Sequence, residues 1–149
     1  MGRGGWLTGL ARLTLFRLAV AASVPLTPGE AYYRLWAVAP AAGYFDHPPM
    51  VAQWIRFGLL VVGDTPLGLR VMGPLSAALG SVLLAHVGAL WLRRPDGQPD
   101  WRAGTRVALL LNATLAIGLG AIIMTPDTPL IFFVALLLWS LGGLCMGGA

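Results

Sequence analysis

Two long stretches of this chain carry no formal charge at all: Val107 to Met124 and Leu130 to Met146. A third, Leu67 to Leu92, is charged only at Arg70 and otherwise titrates only at His86. Crossing about 30 Å of hydrocarbon takes about 20 helical residues, and a helix is favoured there because it satisfies its own backbone polar groups. These three runs therefore predict transmembrane helices. Leu7 to Leu26 predicts a fourth, interrupted by Arg12 and Arg17, whose guanidiniums are expected to snorkel toward the headgroups. A cleavable signal peptide is the rival reading there, because Ala19-Val20-Ala21 has the small-residue pattern of a cleavage site; Arg17 argues against it by breaking the apolar region.

Composition agrees with a bilayer environment. Hydrophobic residues make up 57% of the chain and charged ones 11%, against roughly 45–50% and about 25% in soluble domains. The long apolar runs also exclude disorder. Cys145 is the single cysteine, so neither an intrachain disulfide nor a CxxC metal site can form. The remaining apolar stretch, Pro48 to Val62, is too short to cross and contains Gln53 and Arg56. It predicts a helix lying in the interface, with a companion from Pro28 to about Val38. The expected fold is all-α integral membrane, about four transmembrane helices plus two interfacial helices, forming a single membrane domain over residues 1–149 with a first external loop at 27–66.

The excess of arginine, net charge +4, is explained by topology rather than by nucleic-acid binding. Arg3 and Arg12 precede the first span, and Arg93, Arg94, Arg102 and Arg106 crowd the loop between the second and third. The positive-inside rule puts both segments in the cytoplasm. The expected location is the cytoplasmic (inner) membrane, multi-pass, with a cytoplasmic N-terminus. Glu30, Asp46, Asp64 and Asp127 then lie at the outer face. Asp64 reads as part of the turn that starts the Leu67 helix. Asp127 sits in a turn so short that its charge stays close to hydrocarbon, where it either caps the fourth helix or serves chemistry. His86 and Asn112 read as intramembrane polar groups hydrogen-bonded to neighbouring helices.

Three motifs occur in order: Gly29-Glu30-Ala31-Tyr32-Tyr33, Gly43-Tyr44-Phe45-Asp46-His47-Pro48-Pro49-Met50, and Met124-Thr125-Pro126-Asp127-Thr128-Pro129. Together with the topology they resemble the N-terminal part of a membrane glycosyltransferase of the GT-C class. The similarity is to bacterial family 39 relatives of the protein O-mannosyltransferases and of the lipid A aminoarabinose transferase. The resemblance implies transfer of a sugar from a polyprenyl-phosphate carrier to a lipid, glycan or protein acceptor at the outer face. It makes Glu30, Asp46 and Asp127 the catalytic candidates. His47, Tyr32, Tyr33, Arg56 and Arg70 become substrate-binding candidates, with Arg56 and Arg70 as the cations for the carrier phosphate. Asp46 and His47 are the candidate ligands for a divalent metal, the one cofactor it suggests.

The chain departs from the usual Asp-Glu pair, having Gly29-Glu30, so Glu30 either replaces the missing Asp or plays only the second residue's part. A hydroxyl acceptor needs a base, for which a carboxylate with its pKa raised beside apolar surface is suited. Relatives run to several hundred residues, so the resemblance implies an incomplete N-terminal fragment. An inactive or assembly membrane protein derived from such an enzyme, and a small transporter subunit, are the other readings. The arginine distribution predicts that a reporter fused after Trp101 is cytoplasmic and one near Phe45 external. External labelling of the Arg93 to Gly104 loop in intact cells would reverse the orientation.

Overall fold

The computed structural model describes residues 3–118 and 120–147, and every regular element among them is a helix. In chain order these are α1 (Arg3–Ser23), α2 (Pro28–Val38), α3 (Met50–Val62), α4 (Pro66–Arg70), α5 (Met72–Trp91), α6 (Trp101–Ala113), α7 (Leu115–Gly118) and α8 (Asp127–Gly147). Pro66–Trp91 and Asp127–Cys145 are each long and apolar enough to cross a membrane, whereas α1 passes that test only together with α2, across an 89° bend. This is a multi-pass membrane protein with two such helices, or three if the bent pair counts as one span.

The bend has a local cause. Pro25 cannot donate a helical hydrogen bond, and α2 then starts afresh with Pro28 in its first turn and Thr27 as N-cap. Thr27 and Glu30 form a reciprocal capping box, the Thr27 hydroxyl accepting from Glu30 N at 3.3 Å and Glu30 Oε2 accepting from Thr27 N at 2.9 Å. The second interfacial helix, α3, ends at Gly63, whose φ of 95° suits glycine. Both surface helices fall where proline and glycine punctuate the loop.

The third predicted span is not one helix. The uncharged run from Val107 to Met124 breaks at Thr114, which adopts an extended backbone (φ −71°, ψ 147°). Its hydroxyl donates to Leu111 O at 2.7 Å and accepts from Ile117 N at 3.4 Å, a local alternative to continuing the helix. Arg17 supports the break from α1. It does not snorkel: at 1% exposure it lies inside the bundle, donating to Asn112 Oδ1 at 2.9 Å and to Ile117 O at 2.7 Å. Asn112 in turn donates to Ser81 Oγ on α5 at 2.7 Å. Irregular backbone at membrane depth is tolerated where protein buries and satisfies it, and the guanidinium does so here. Among the described residues the Val107 to Met124 run therefore does not form a single helix long enough to cross, because α6 has only 13 residues before the break.

α5 is the central helix, packed against both α6 and α8. Small residues permit the close approach: a Cβ built on Gly104 would lie 2.1 Å from Ala85 O, and one on Gly80 would meet Ala135 Cβ at 3.7 Å. His86, on α5, accepts a hydrogen bond at Nδ1 from Trp139 Nε1 of α8 at 2.8 Å, the interhelical role expected of it. At the other end of the bundle, Trp36, Val51, Ala52, Ile55, Leu69 and Met124 form a core that joins α2, α3 and α4 to the turn before α8.

Gly104→Val should therefore force α5 and α6 apart and lower the thermal midpoint in detergent, with an overpacking cost of about 1–3 kcal/mol. Gly9→Ala, where a Cβ meets nothing within 4 Å, should be neutral or stabilising by up to about 1 kcal/mol. Equal effects would contradict the close crossing.

Candidate active site

The end of the bundle that carries the 27–66 loop gathers the acidic candidates, but in three different environments. Glu30 is the most enclosed, with 0% exposure. Arg70, 1% exposed, donates to it through Nε to Oε1 and Nη2 to Oε2, both at 2.6 Å. The same guanidinium donates from Nη1 to Ala21 O at 3.0 Å and Val24 O at 2.7 Å, and from Nη2 to Pro25 O at 2.9 Å. Glu30 also accepts from Met124 N at 3.1 Å. Burial works to raise the Glu30 pKa, but the Arg70 hydrogen bonds, the Thr27 and Met124 N–H groups and the Arg70 charge together hold it below the usual carboxylate range. The raised pKa expected of a base is thus not found at Glu30. Arg70 likewise spends all its nitrogens on protein oxygens rather than offering them to a phosphate.

Asp46 is exposed in the loop before α3, and its Oδ2 accepts from the Tyr32 hydroxyl at 2.9 Å. That bond, with lesser help from burial and the Asp46 charge, raises the Tyr32 pKa and keeps the phenol a donor. Tyr32, Tyr33 and His47 pack around Trp36, and Tyr44 stacks on the Trp36 ring, the centroids 4.4 Å apart and the planes at 6°. Tyr44 is anchored by donating to Trp36 O at 2.8 Å. Phe45 projects fully exposed beside this group. The motif aromatics thus build one cluster, with a carboxylate at its edge.

Asp46 and His47 supply two donors, and among the described residues no group of three or more His, Cys, Asp or Glu side chains converges. The His47 ring instead lies against Tyr33 and Trp36.

Asp127 opens α8 and is exposed. The turn is closed by Thr128, whose hydroxyl accepts from Thr125 N at 3.2 Å; the Asp127 carboxylate has no hydrogen-bond partner among the described residues. It stands in the wall of an apolar crevice of about 370 Å³ between α5, α7 and α8, which Ala77, Gly80, Ile117 and Ile131 also line. Neither Glu30 nor Asp46 lines that crevice. Glu30 reaches the Asp127 turn only through Met124 N.

Asp64 lies, as expected, in the turn that leads into α4, where Thr65 is the N-cap and accepts from Gly68 N at 3.0 Å. It forms an exposed ion pair with Arg34, Arg34 Nε donating to Asp64 Oδ1 at 2.8 Å, and the Arg34 hydrogen bonds lower its pKa. No local pattern signals that contact across thirty residues. The capping box of Glu30 was visible in Thr27-Pro28-Gly29-Glu30, and that signal points to a structural role for the acid. Arg56, half-buried, donates to Ala37 O at 3.3 Å.

The family model for dolichyl-phosphate-mannose-protein mannosyltransferase matches residues 46–145. The chain belongs to this family. As a member of that mannosyltransferase family it is a membrane protein of glycosyltransferase type, related to enzymes that use a polyprenyl-phosphate-linked sugar. The matched region starts at Asp46 and includes Arg56, Arg70 and Asp127, while Glu30, Tyr32 and Tyr33 precede it. No curated protein and no solved structure is matched by the chain.

Removing one partner of a buried ion pair costs about 3–5 kcal/mol, because the other charge is left uncompensated. Glu30→Gln and Arg70→Leu should each destabilise the protein on that scale, and the double variant should lose less than the sum. Because the Glu30 pKa is depressed on folding, its contribution is complete above the unfolded-state pKa and is lost as pH falls through the lower folded-state value. Thermal melting in detergent checks both statements; additive losses and an acid profile unchanged by Glu30→Gln would refute them.

Proposed function

We propose that this chain contributes the carboxylates of a membrane glycosyltransferase that passes a sugar from a polyprenyl-phosphate carrier to an acceptor hydroxyl at the outer face of the cytoplasmic membrane. The observation that carries the reading is the family match across residues 46–145, which contains both acids left free of ion pairs at the loop end, Asp46 and Asp127. In this reading a carboxylate takes the proton of the acceptor hydroxyl as its oxygen attacks the anomeric carbon. The carrier phosphate leaves with the bonding electrons and, being a stable anion, needs little acid assistance.

Asp127, unpartnered beside an apolar crevice, suits the base, and the crevice suits part of a hydrocarbon chain. Asp46, already bonded to Tyr32, suits holding a sugar or acceptor hydroxyl against the Tyr32, Tyr33 and His47 rings. Carrier phosphate falls to Arg56, since Arg70 is fully engaged; an arginine offers a planar fork of donors for phosphate oxygens. Glu30 keeps the Asp127 turn in position through Met124.

Asp46→Asn and Asp127→Asn should each abolish transfer from a lipid-linked sugar in membranes containing the intact enzyme, while insertion and melting are unchanged. Asp64→Asn should be mild. A full-rate Asp127→Asn enzyme would reduce that residue to a favourable charge at a helix start, and an intact protein without transferase activity would favour an assembly role.

A further inference from the structure

At the opposite, arginine-rich end of the bundle, two pockets meet at one tryptophan. The first, about 400 Å³, is walled by Trp6 and Leu7 of α1, His86 of α5, Trp101 of α6 and Trp139 of α8. The second, about 480 Å³, is walled by Arg94, Asp100, Trp101 and Arg102. Trp101 is common to both. An aromatic, mainly apolar compartment therefore adjoins a basic one, a division that matches an amphiphile with an anionic head.

The polar groups refine the ligand. His86 accepts from Trp139 at Nδ1 and its ring lies parallel to Trp101, 5.7 Å away at 3°. With its lone pair committed at Nδ1, the neutral ring carries its proton at Nε2. That N–H has no partner among the described residues, which leaves a donor in a wall made mainly of aromatic and aliphatic side chains. In the basic compartment, the Asp100 carboxylate is occupied by capping α6, accepting from Arg102 N at 2.9 Å and Ala103 N at 3.2 Å. Asp96 pairs with Arg94 at 3.4 Å, both side chains more than half exposed, so that pair is weak and easily exchanged. Against these two acids the segment from Arg93 to Arg106 has four arginines, a surplus of two positive charges.

We infer that this paired pocket binds an anionic diacyl phospholipid of the adjacent leaflet. Its headgroup phosphate lies between Arg94 and Arg102, an ester carbonyl accepts from His86 Nε2, and an acyl chain runs along Trp6, Leu7 and Trp139. A zwitterionic lipid would bring its own ammonium toward the arginines. A polyprenyl phosphate has no ester carbonyl and would leave the His86 donor unmet.

The test is native mass spectrometry of the full chain in detergent with phosphatidylglycerol, phosphatidylcholine of the same acyl chains, or undecaprenyl phosphate added singly. Phosphatidylglycerol should be retained preferentially. Arg94→Gln and Arg102→Gln should each weaken its retention by roughly fivefold, the value of one arginine near an anionic lipid surface. His86→Leu should weaken phosphatidylglycerol binding while its preference over phosphatidylcholine survives. Arg102→Lys should restore most of what Arg102→Gln loses, which a folding defect would not allow, and melting of each variant is followed in parallel. Equal retention of the two phospholipids, indifference to both arginine variants, or retention of undecaprenyl phosphate at least as strong as that of phosphatidylglycerol would overturn the proposal.

Discussion

Arg70 is a buried cation near the start of the Pro66–Trp91 helix, and the organisation of the loop end depends on how it is satisfied. A guanidinium removed from water needs a counter-ion and acceptors for its remaining donors. Glu30 supplies the first, while Ala21, Val24 and Pro25 supply the second from the frayed end of α1, whose last carbonyls have no intrahelical partner. One side chain thereby caps α1, holds the start of α2 and anchors the beginning of the Pro66–Trp91 helix. Glu30 extends the connection by accepting from Met124 N, just ahead of α8. The cost of burying both charges is offset by this density of hydrogen bonds, and it yields a defined geometry where three chain segments would otherwise meet loosely.

That arrangement separates architecture from chemistry among the acids. A carboxylate that receives two guanidinium bonds and two backbone N–H groups has little basicity left, whereas one at the mouth of an apolar crevice keeps its lone pairs. Glu30 and Asp127 are joined through a single backbone amide yet occupy these opposite situations. Asp46 lies between them in character, exposed but bonded to a phenol in an aromatic cluster. The Arg34–Asp64 pair is more exposed still, and a contact of that kind contributes little to stability. Assigning roles by residue type alone would treat all four acids alike.

Within the bundle, Arg17 solves a comparable problem with different means. It has no carboxylate partner among the described residues; it leans on Asn112 and on a carbonyl that the interrupted α6–α7 segment leaves free. Its Nε remains without a hydrogen-bond partner. The break in the helix and the buried cation are therefore complementary, each supplying what the other lacks, and Ser81 ties the pair to the central helix through Asn112.

Much of the architecture was legible along the chain. Long apolar runs with at most one formal charge announced the Pro66–Trp91 and Asp127–Cys145 helices, because hydrocarbon penalises charge and the length of a run can be counted. Proline and glycine marked the ends of the surface helices α2 and α3, since those residues act on local backbone geometry. The acid-bearing motifs and their order carried the family. What the chain could not disclose were contacts between distant segments. Glu30 finds Arg70 forty residues away, Arg17 finds Asn112 ninety-five residues away, and Arg34 finds Asp64 across thirty. Those encounters decided that Arg17 is buried rather than snorkelled, that an uncharged run is broken at Thr114, and that one of three candidate carboxylates is enclosed in a buried ion pair. Hydropathy measures each residue against solvent, whereas the state of a buried charge is set by the partners that tertiary packing brings to it.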